Sequence, residues 1–215
     1  MEFYYSIKQE CQSALVEKGS KFLAFAYPVE SIPDAQAKLS HIKSLHPKAR
    51  HWCYAYKIGF PEFEAKSSDD GEPSGTAGKP IFNQIERLEL NNVLVVVVRY
   101  FGGILLGKGG LLQAYKESAK LCLENAVIIK HEKMVELKIE SDVHKIQLLL
   151  SIIKNCGVAV KSFELQNKSF LILEISVSSK LEFMRTVKSK MEKTNLKQVE
   201  NPEDWKDCKI TYKIL

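Results

Sequence analysis

Residues 69–80, DDGEPSGTAGKP, set three carboxylates, Asp69, Asp70 and Glu72, among three glycines and two prolines, with no large apolar side chain. Adjacent carboxylates supply oxygen ligands to a hard cation and can also work as general acid and base. Their spacing does not follow a calcium loop, and no second motif assigns them a reaction. Ser74 and Thr76 add hydroxyls, but a hydroxyl without a placed base is not an activated nucleophile. Gly71, Gly75 and Gly78 allow backbone geometries closed to other residues, while Pro73 and Pro80 fix φ and remove donors. The segment reads as a shaped loop with three uses open to it: holding turns through its aspartates, contacting a ligand or macromolecule, and catalysis.

A second segment, GGILLGKG at 102–109, satisfies the G-x-x-x-x-G-K part of a phosphate-binding loop between a strand and a helix. Gly109 stands where such a loop needs Ser or Thr for magnesium, and Ile104, Leu105 and Leu106 are unusually apolar for a loop wrapping phosphates. Nucleotide hydrolysis is therefore not expected. The free amides of a helix N-terminus, with Lys108 beside them, can still attract an anion or an RNA backbone. Lys79, Arg99 and Tyr100 adjoin the two glycine-rich segments and join this set of contacts. His51 has two readings, a hydrogen-bonded histidine at a domain seam or a proton carrier or recognition residue. The other histidines, His41, His46, His131 and His144, show no metal-ligand spacing, so no metal, cofactor or catalytic residue is assigned.

The elements that must position these residues follow from periodicity. Strands are predicted at 21–29, 50–58 and 93–100, and helices at 33–45, 80–88 and 110–125. The run VLVVVVRY at 93–100 has the character of a central strand covered on both faces. The glycine-rich segments flank it in sequence and are predicted to converge on one surface. From about residue 131 the pattern becomes strand 132–140, helix 142–153, strands 157–165 and 169–177, helix 180–192 and strand 208–214. That is a ferredoxin-like βαββαβ order, with Gly157 after its first helix and Asn167-Lys168 turning its hairpin. The predicted boundary is an exposed connection between about 126 and 132.

The 215 residues carry a formal charge of +5, a weak bias toward acidic partners such as RNA. Five cysteines without a C-x-x-C pair exclude a disulfide framework and a zinc knuckle and predict free thiols in a reducing compartment. Neither a leader sequence nor an apolar stretch near twenty residues is visible, so the expected location is cytoplasmic, with no membrane partner.

DDGEPSGTAGKPI followed by VVVVRYFGGILLGKGGLLQAY resembles the YigZ/IMPACT family, over the whole chain. Phe22, His51, Cys53, residues 69–78 and residues 99–103 match its pattern. Lys108 and Gln113 depart from it, standing where the family usually has Thr and Arg. The resemblance implies an α+β protein. Residues 1–130 are expected to have a ribosomal-protein-S5-domain-2-like fold, and residues 131–215 a ferredoxin-like domain resembling domain V of elongation factor G. It further implies a non-catalytic, translation-associated or regulatory protein contacting RNA, the ribosome or a protein partner, since eukaryotic relatives act in translational control by binding the activator of a starvation-sensing kinase. The competing reading is a small-molecule enzyme using the glycine-rich cleft. Contact residues on either reading are His51, Asp69, Asp70, Glu72, Ser74, Thr76, Lys79, Arg99, Tyr100 and Lys108.

Overall fold

In the computed structural model, which describes residues 3–166 and 169–214, the chain divides into two compact units, Phe3–His131 and Glu132 onward. The first contains β1 (Phe3–Ile7), β2 (Cys11–Glu17), β3 (Ser20–Pro28), α1 (Ile32–Leu45), β4 (His51–Ile58), β5 (Glu64–Ser68), α2 (Gly78–Arg87), β6 (Val93–Tyr100), α3 (Gly107–Glu124) and β7 (Ile128–Glu132). Five strands form an antiparallel sheet in the order β2-β3-β6-β4-β5, and β1 pairs separately with β7.

The valine run is the centre of this sheet. Val93, Val95 and Val97 face α2 and α3, whereas Leu94, Val96 and Val98 face α1, and all six are at most 1% exposed. With no wet face there is no position for a polar residue, and each such side chain contributes about 1.5–3 kcal/mol by leaving water. The two faces differ in side-chain size. Under α2 and α3 the flanking strands present Ala24, Ala26, Cys53 and Ala55, small enough to seat two helices. Under α1, which is one helix over a wide sheet, Phe25, Tyr27, Trp52, Tyr54 and Tyr56 fill the remaining area.

Three strands carry no period that predicts them. β2 is an edge strand whose residues are all exposed or half-exposed, and β5, EAKSS, is polar throughout and ordered by pairing with β4. β1 is too short to show a period. α3 begins at Gly107, three residues before the predicted start, because its first turn is nearly all glycine and glycine reads as a turn. Lys108 consequently sits in the helix. The connection expected at 126–132 includes β7, a paired strand rather than a linker.

The second unit runs β8 (Met134–Ser141), α4 (Val143–Lys154), β9 (Val160–Glu164), β10 (Ser169–Ser176), α5 (Val177–Glu192) and β11 (Lys209–Ile214), with antiparallel sheet order β11-β8-β10-β9. Val135, Leu137 and Ile139 with Leu171, Leu173 and Ile175 line the face that α4 and α5 cover through Leu149, Ile153, Met184 and Val187. Trp205 joins this core, its indole N–H donating to the Pro202 carbonyl at 2.7 Å. Asp142 and Ser176 cap α4 and α5 by accepting from Lys145 N and Ser179 N. The Ser176 cap starts α5 directly at the end of β10, earlier than the predicted 180. The predicted hairpin turn at Asn167-Lys168 lies outside the described residues.

One backbone contact fixes the entry to the glycine-rich segment. A Cβ on Gly102 would lie 1.9 Å from the Gly19 carbonyl carbon, and the Gly102 N–H donates to Ser20 Oγ at 3.2 Å. The Gly102→Ala variant is expected to lose about 3 kcal/mol in urea unfolding, the upper end for overpacking against rigid backbone. Gly109→Ala, where an added Cβ meets nothing within 4 Å, is expected to be neutral or stabilising by up to about 1 kcal/mol. Equal stability of Gly102→Ala and the parent protein would show that the two backbones are free to separate.

Candidate functional site

Arg99 lies on β6 between Phe22 of β3 and His51 of β4, its register partners, on the face covered by α2 and α3. A guanidinium buried there requires a countercharge. Glu72 supplies it, with Arg99 Nη1 donating to Glu72 Oε1 at 2.7 Å, and the two side chains are only 7% and 3% exposed. The same carboxylate oxygen accepts from the Tyr115 hydroxyl of α3 at 2.8 Å, while Arg99 Nη2 donates to Ser20 Oγ at 3.4 Å. Phe22 and Phe101 flank the guanidinium with ring centroids at 5.5 and 5.6 Å, and Phe22 meets Tyr115 edge to face. The loop, the central strand and α3 are joined at one carboxylate.

The long loop is held by its first residue. Asp69 Oδ1 accepts from the backbone N–H groups of Ala77 and Gly78 at 2.9 and 2.8 Å, and Oδ2 from that of Gly75 at 2.9 Å. Burial opposes its ionisation, but these three donors outweigh burial and hold the carboxyl below the usual aspartate value. Asp70, at φ +42°, uses Oδ2 to accept from Trp52 N at 2.8 Å, offers its carbonyl to His51 Nδ1 at 2.9 Å and pairs with Lys43 at 3.6 Å. The Thr76 hydroxyl donates to the Pro73 carbonyl at 2.6 Å. Gly78 is required by contact, since a Cβ there would lie 2.7 Å from Ser68 N.

The thiol and the phenol behind this loop are held in their protonated forms. Burial pushes the Cys53 thiol up to about 12, and it donates to the Asp69 carbonyl at 2.9 Å. Burial likewise raises Tyr115, reinforced by Cys53 and Glu72 beside it. Both remain hydrogen-bond donors at neutral pH. Among the described residues, no cluster of three or more His, Cys, Asp or Glu side chains is arranged to hold a metal ion.

Outside the ion pair lies a cleft of about 460 Å³. The 69–78 and 99–110 segments meet here, their nearest named groups being the 2.7 Å Glu72–Arg99 contact. Of the expected contact residues, His51, Glu72, Arg99 and Lys108 line the cleft. Asp69, Asp70 and Thr76 are instead committed to loop architecture. Ser74 is exposed on the loop, Lys79 is exposed on α2 with its ammonium 5.5 Å from the Phe82 ring, and Tyr100 donates or accepts with His46 at 2.9 Å on the α1 side. Arg99 does not serve as an exposed cation, because its charge is already spent on Glu72. The cleft also takes Arg50, Pro73, Phe101, Leu105, Leu106 and Leu111, which no motif in the sequence marks as contacts. The apolar triplet at 104–106 is the signal for them: Leu105 is 84% exposed and Phe101 51%.

Two measurements follow from these contacts. Glu72→Ala, which strands a buried guanidinium, is expected to cost about 3–5 kcal/mol by urea unfolding, and the apolar pair Glu72→Leu with Arg99→Met markedly less. If the double variant is as unstable as the single, shape rather than charge governs the site. Asp69 binds fewer protons folded than unfolded, so its contribution is full above its ordinary value of 3.8 and is lost as pH falls below it through the folded value. Asp69→Asn is expected to be less stable at neutral pH and to flatten the stability profile below about pH 4; an unchanged acid limb would remove Asp69 from the acid response.

A family model, the Impact N-terminal domain, matches residues 18–123, spanning the loop, the ion pair and the cleft. A Haemophilus influenzae protein described as an IMPACT family member is 38% identical over 164 residues, 74% of this chain and 78% of its own. IMPACT family member YvyE of Bacillus subtilis is 34% identical over 187 residues, 87% and 81% of the two chains. A crystal structure of a hypothetical protein superposes with a TM-score of 0.62 at 27% identity, covering 90% of this chain and 94% of that one. No helix among the described residues is long and apolar enough to cross a membrane. The α+β architecture, with its antiparallel sheets, and these relatives together establish that the chain belongs to the YigZ/IMPACT family.

Proposed function

We propose that the chain is a non-catalytic, translation-associated binding protein that engages a ribosomal particle through the cleft and apolar segment of its first unit. The observation that carries this reading is the division of labour around Glu72. The carboxylate, phenol and thiol behind the cleft are locked in buried contacts, while Phe101, Ile104 and Leu105 are exposed beside the exposed cations Arg50 and Lys108. A surface of that kind suits a partner offering phosphates and stackable bases, where cations neutralise the backbone and apolar groups displace water. The buried thiol and phenol, held protonated, are not placed to act as nucleophile or base.

The proposed labels for the two units point the same way. We read residues 1–130 as S5-domain-2-like, a reading supported by an antiparallel sheet with α2 and α3 on one face. Residues 132–214 fit a ferredoxin-like domain, supported by the βαββαβ order with its hairpin strands adjacent in one antiparallel sheet. Both resemble parts of translation proteins, although a fold by itself does not carry a function.

Co-sedimentation of the purified protein with ribosomal particles across a salt series tests the proposal. Association is expected at low salt and should weaken as salt rises. Replacing Arg50 and Lys108 by Ala should shallow the log K against log salt slope by about one unit each. Leu105→Ala is expected to weaken binding at every salt concentration without changing that slope. Absence of association at low salt would sink the ribosomal reading, and association indifferent to all three substitutions would move the contact away from this cleft.

A further inference from the structure

Apart from the cleft, the first unit holds a second pair of chemically capable groups. Cys11 on edge strand β2 and Cys122 near the end of α3 have their sulfurs 4.0 Å apart, although 111 positions separate them in sequence. The contact is reciprocal, and each S–H also has the other residue's carbonyl as an alternative acceptor, Cys11 Sγ lying 3.3 Å from the Cys122 carbonyl and Cys122 Sγ 3.4 Å from the Cys11 carbonyl. Neighbouring contacts hold the same strand to the same helix, Ser13 Oγ to the Ser118 carbonyl at 3.3 Å and Asn125 Nδ2 to the Gln12 carbonyl at 3.2 Å. The two thiols are thus kept in register by flanking hydrogen bonds, and Cys11 is half-buried while Cys122 is buried.

We propose that Cys11 and Cys122 form a reversible redox site at which hydrogen peroxide oxidises Cys11 and Cys122 resolves it into a disulfide linking β2 to α3. Sulfur contact at 4.0 Å leaves about 2 Å to close to bonding distance, and accessibility differs in the sense the chemistry needs, with the half-buried residue meeting the oxidant and the buried one waiting. A hydrogen bond from Cys122 lowers the Cys11 thiol against the opposing effect of burial, whereas Cys122 is raised by the same bond and by its own burial, so Cys11 is the more readily deprotonated of the two. The Cys11 thiolate attacks one peroxide oxygen, forming S–O and breaking O–O, and hydroxide leaves. The Cys122 sulfur then displaces the hydroxyl from Cys11, forming S–S, and that hydroxyl leaves as water with the Cys122 proton. The first hydroxide takes up the proton that Cys11 released. Two thiols give up two electrons, and the peroxide is reduced to two waters. Such a bond would be transient in a reducing compartment, as oxidant-responsive disulfides are. Cys53 lacks this chemistry, being buried and protonated, and serves as an internal control.

The test uses the full chain with its native cysteines, exposed under native conditions to equimolar hydrogen peroxide, quenched by alkylation and mapped by mass spectrometry. The expected product is a single peptide pair joined through Cys11 and Cys122, lighter than its parts by two hydrogens, released by dithiothreitol, with Cys53 recovered alkylated after denaturation. Unfolding of the oxidised protein is expected about 5–10 °C higher than that of the reduced protein, because the link closes a loop of over a hundred residues. In Cys122→Ser the oxidation should stop at a sulfenic acid on Cys11, captured by a 1,3-dione reagent, and in Cys11→Ser Cys122 should stay reduced. Recovery of Cys11 and Cys122 as unlinked thiols from the treated native-sequence protein would overturn the proposal whatever the variants do. Preferential linkage through Cys53, Cys156 or Cys208 would overturn it equally.

Discussion

The carboxylate of Glu72 and the guanidinium of Arg99 are both withdrawn from water, and the first unit is organised around keeping them together. Removing two such charges from water costs several kcal/mol each, a loss recovered only with good geometry and further hydrogen bonds. The structure supplies a 2.7 Å contact, the Tyr115 hydroxyl on the same oxygen and aromatic rings flanking the cation, and leaves Arg99 Nε buried without a partner. Satisfying that requirement draws the glycine-rich loop against the central strand and pins α3 over both. The Asp69 contacts then shape the loop so that Glu72 arrives in place, and the Gly19–Gly102 approach sets where the chain leaves the sheet.

This dependence explains why the cleft's chemistry was only partly legible in the sequence. The convergence of the two glycine-rich segments could be anticipated because they flank one strand. The role of Arg99 could not, since a basic residue at the end of a strand reads as exposed, and its partner is 27 positions away in a loop without period. Asp69 and Asp70 are indistinguishable as letters, yet one collects three amides and the other supports His51 and Trp52. Backbone geometry separates them, and composition carries no record of it. The apolar triplet at 104–106 was visible as an obstacle to phosphate binding, and its positive meaning appears only with its exposure.

The fold was more readable wherever one local signal sufficed. The valine run could be nothing other than an interior strand, and the second unit follows its alternating pattern because each helix buries one apolar stripe against one sheet face. β5 escapes such reading because pairing with β4, rather than burial, orders it, and β2 because only Cys11 and Leu15 of its seven residues pack against the core. The glycine-rich first turn of α3 hid the helical position of Lys108 for a related reason: intrinsic preference opposes the helix there, and tertiary contacts override it.

The polar character of β5 bears on how molecules of this protein meet at high concentration. A sheet ends in a row of unsatisfied amides and carbonyls that can recruit a strand from another copy. Here one such margin is only five residues long, carries Glu64 and Lys66, and offers no apolar side chain larger than alanine. A foreign strand docking along it would bury charge without gaining apolar contact, so this margin resists aggregation by strand addition while the valines at the sheet's centre supply its cohesion.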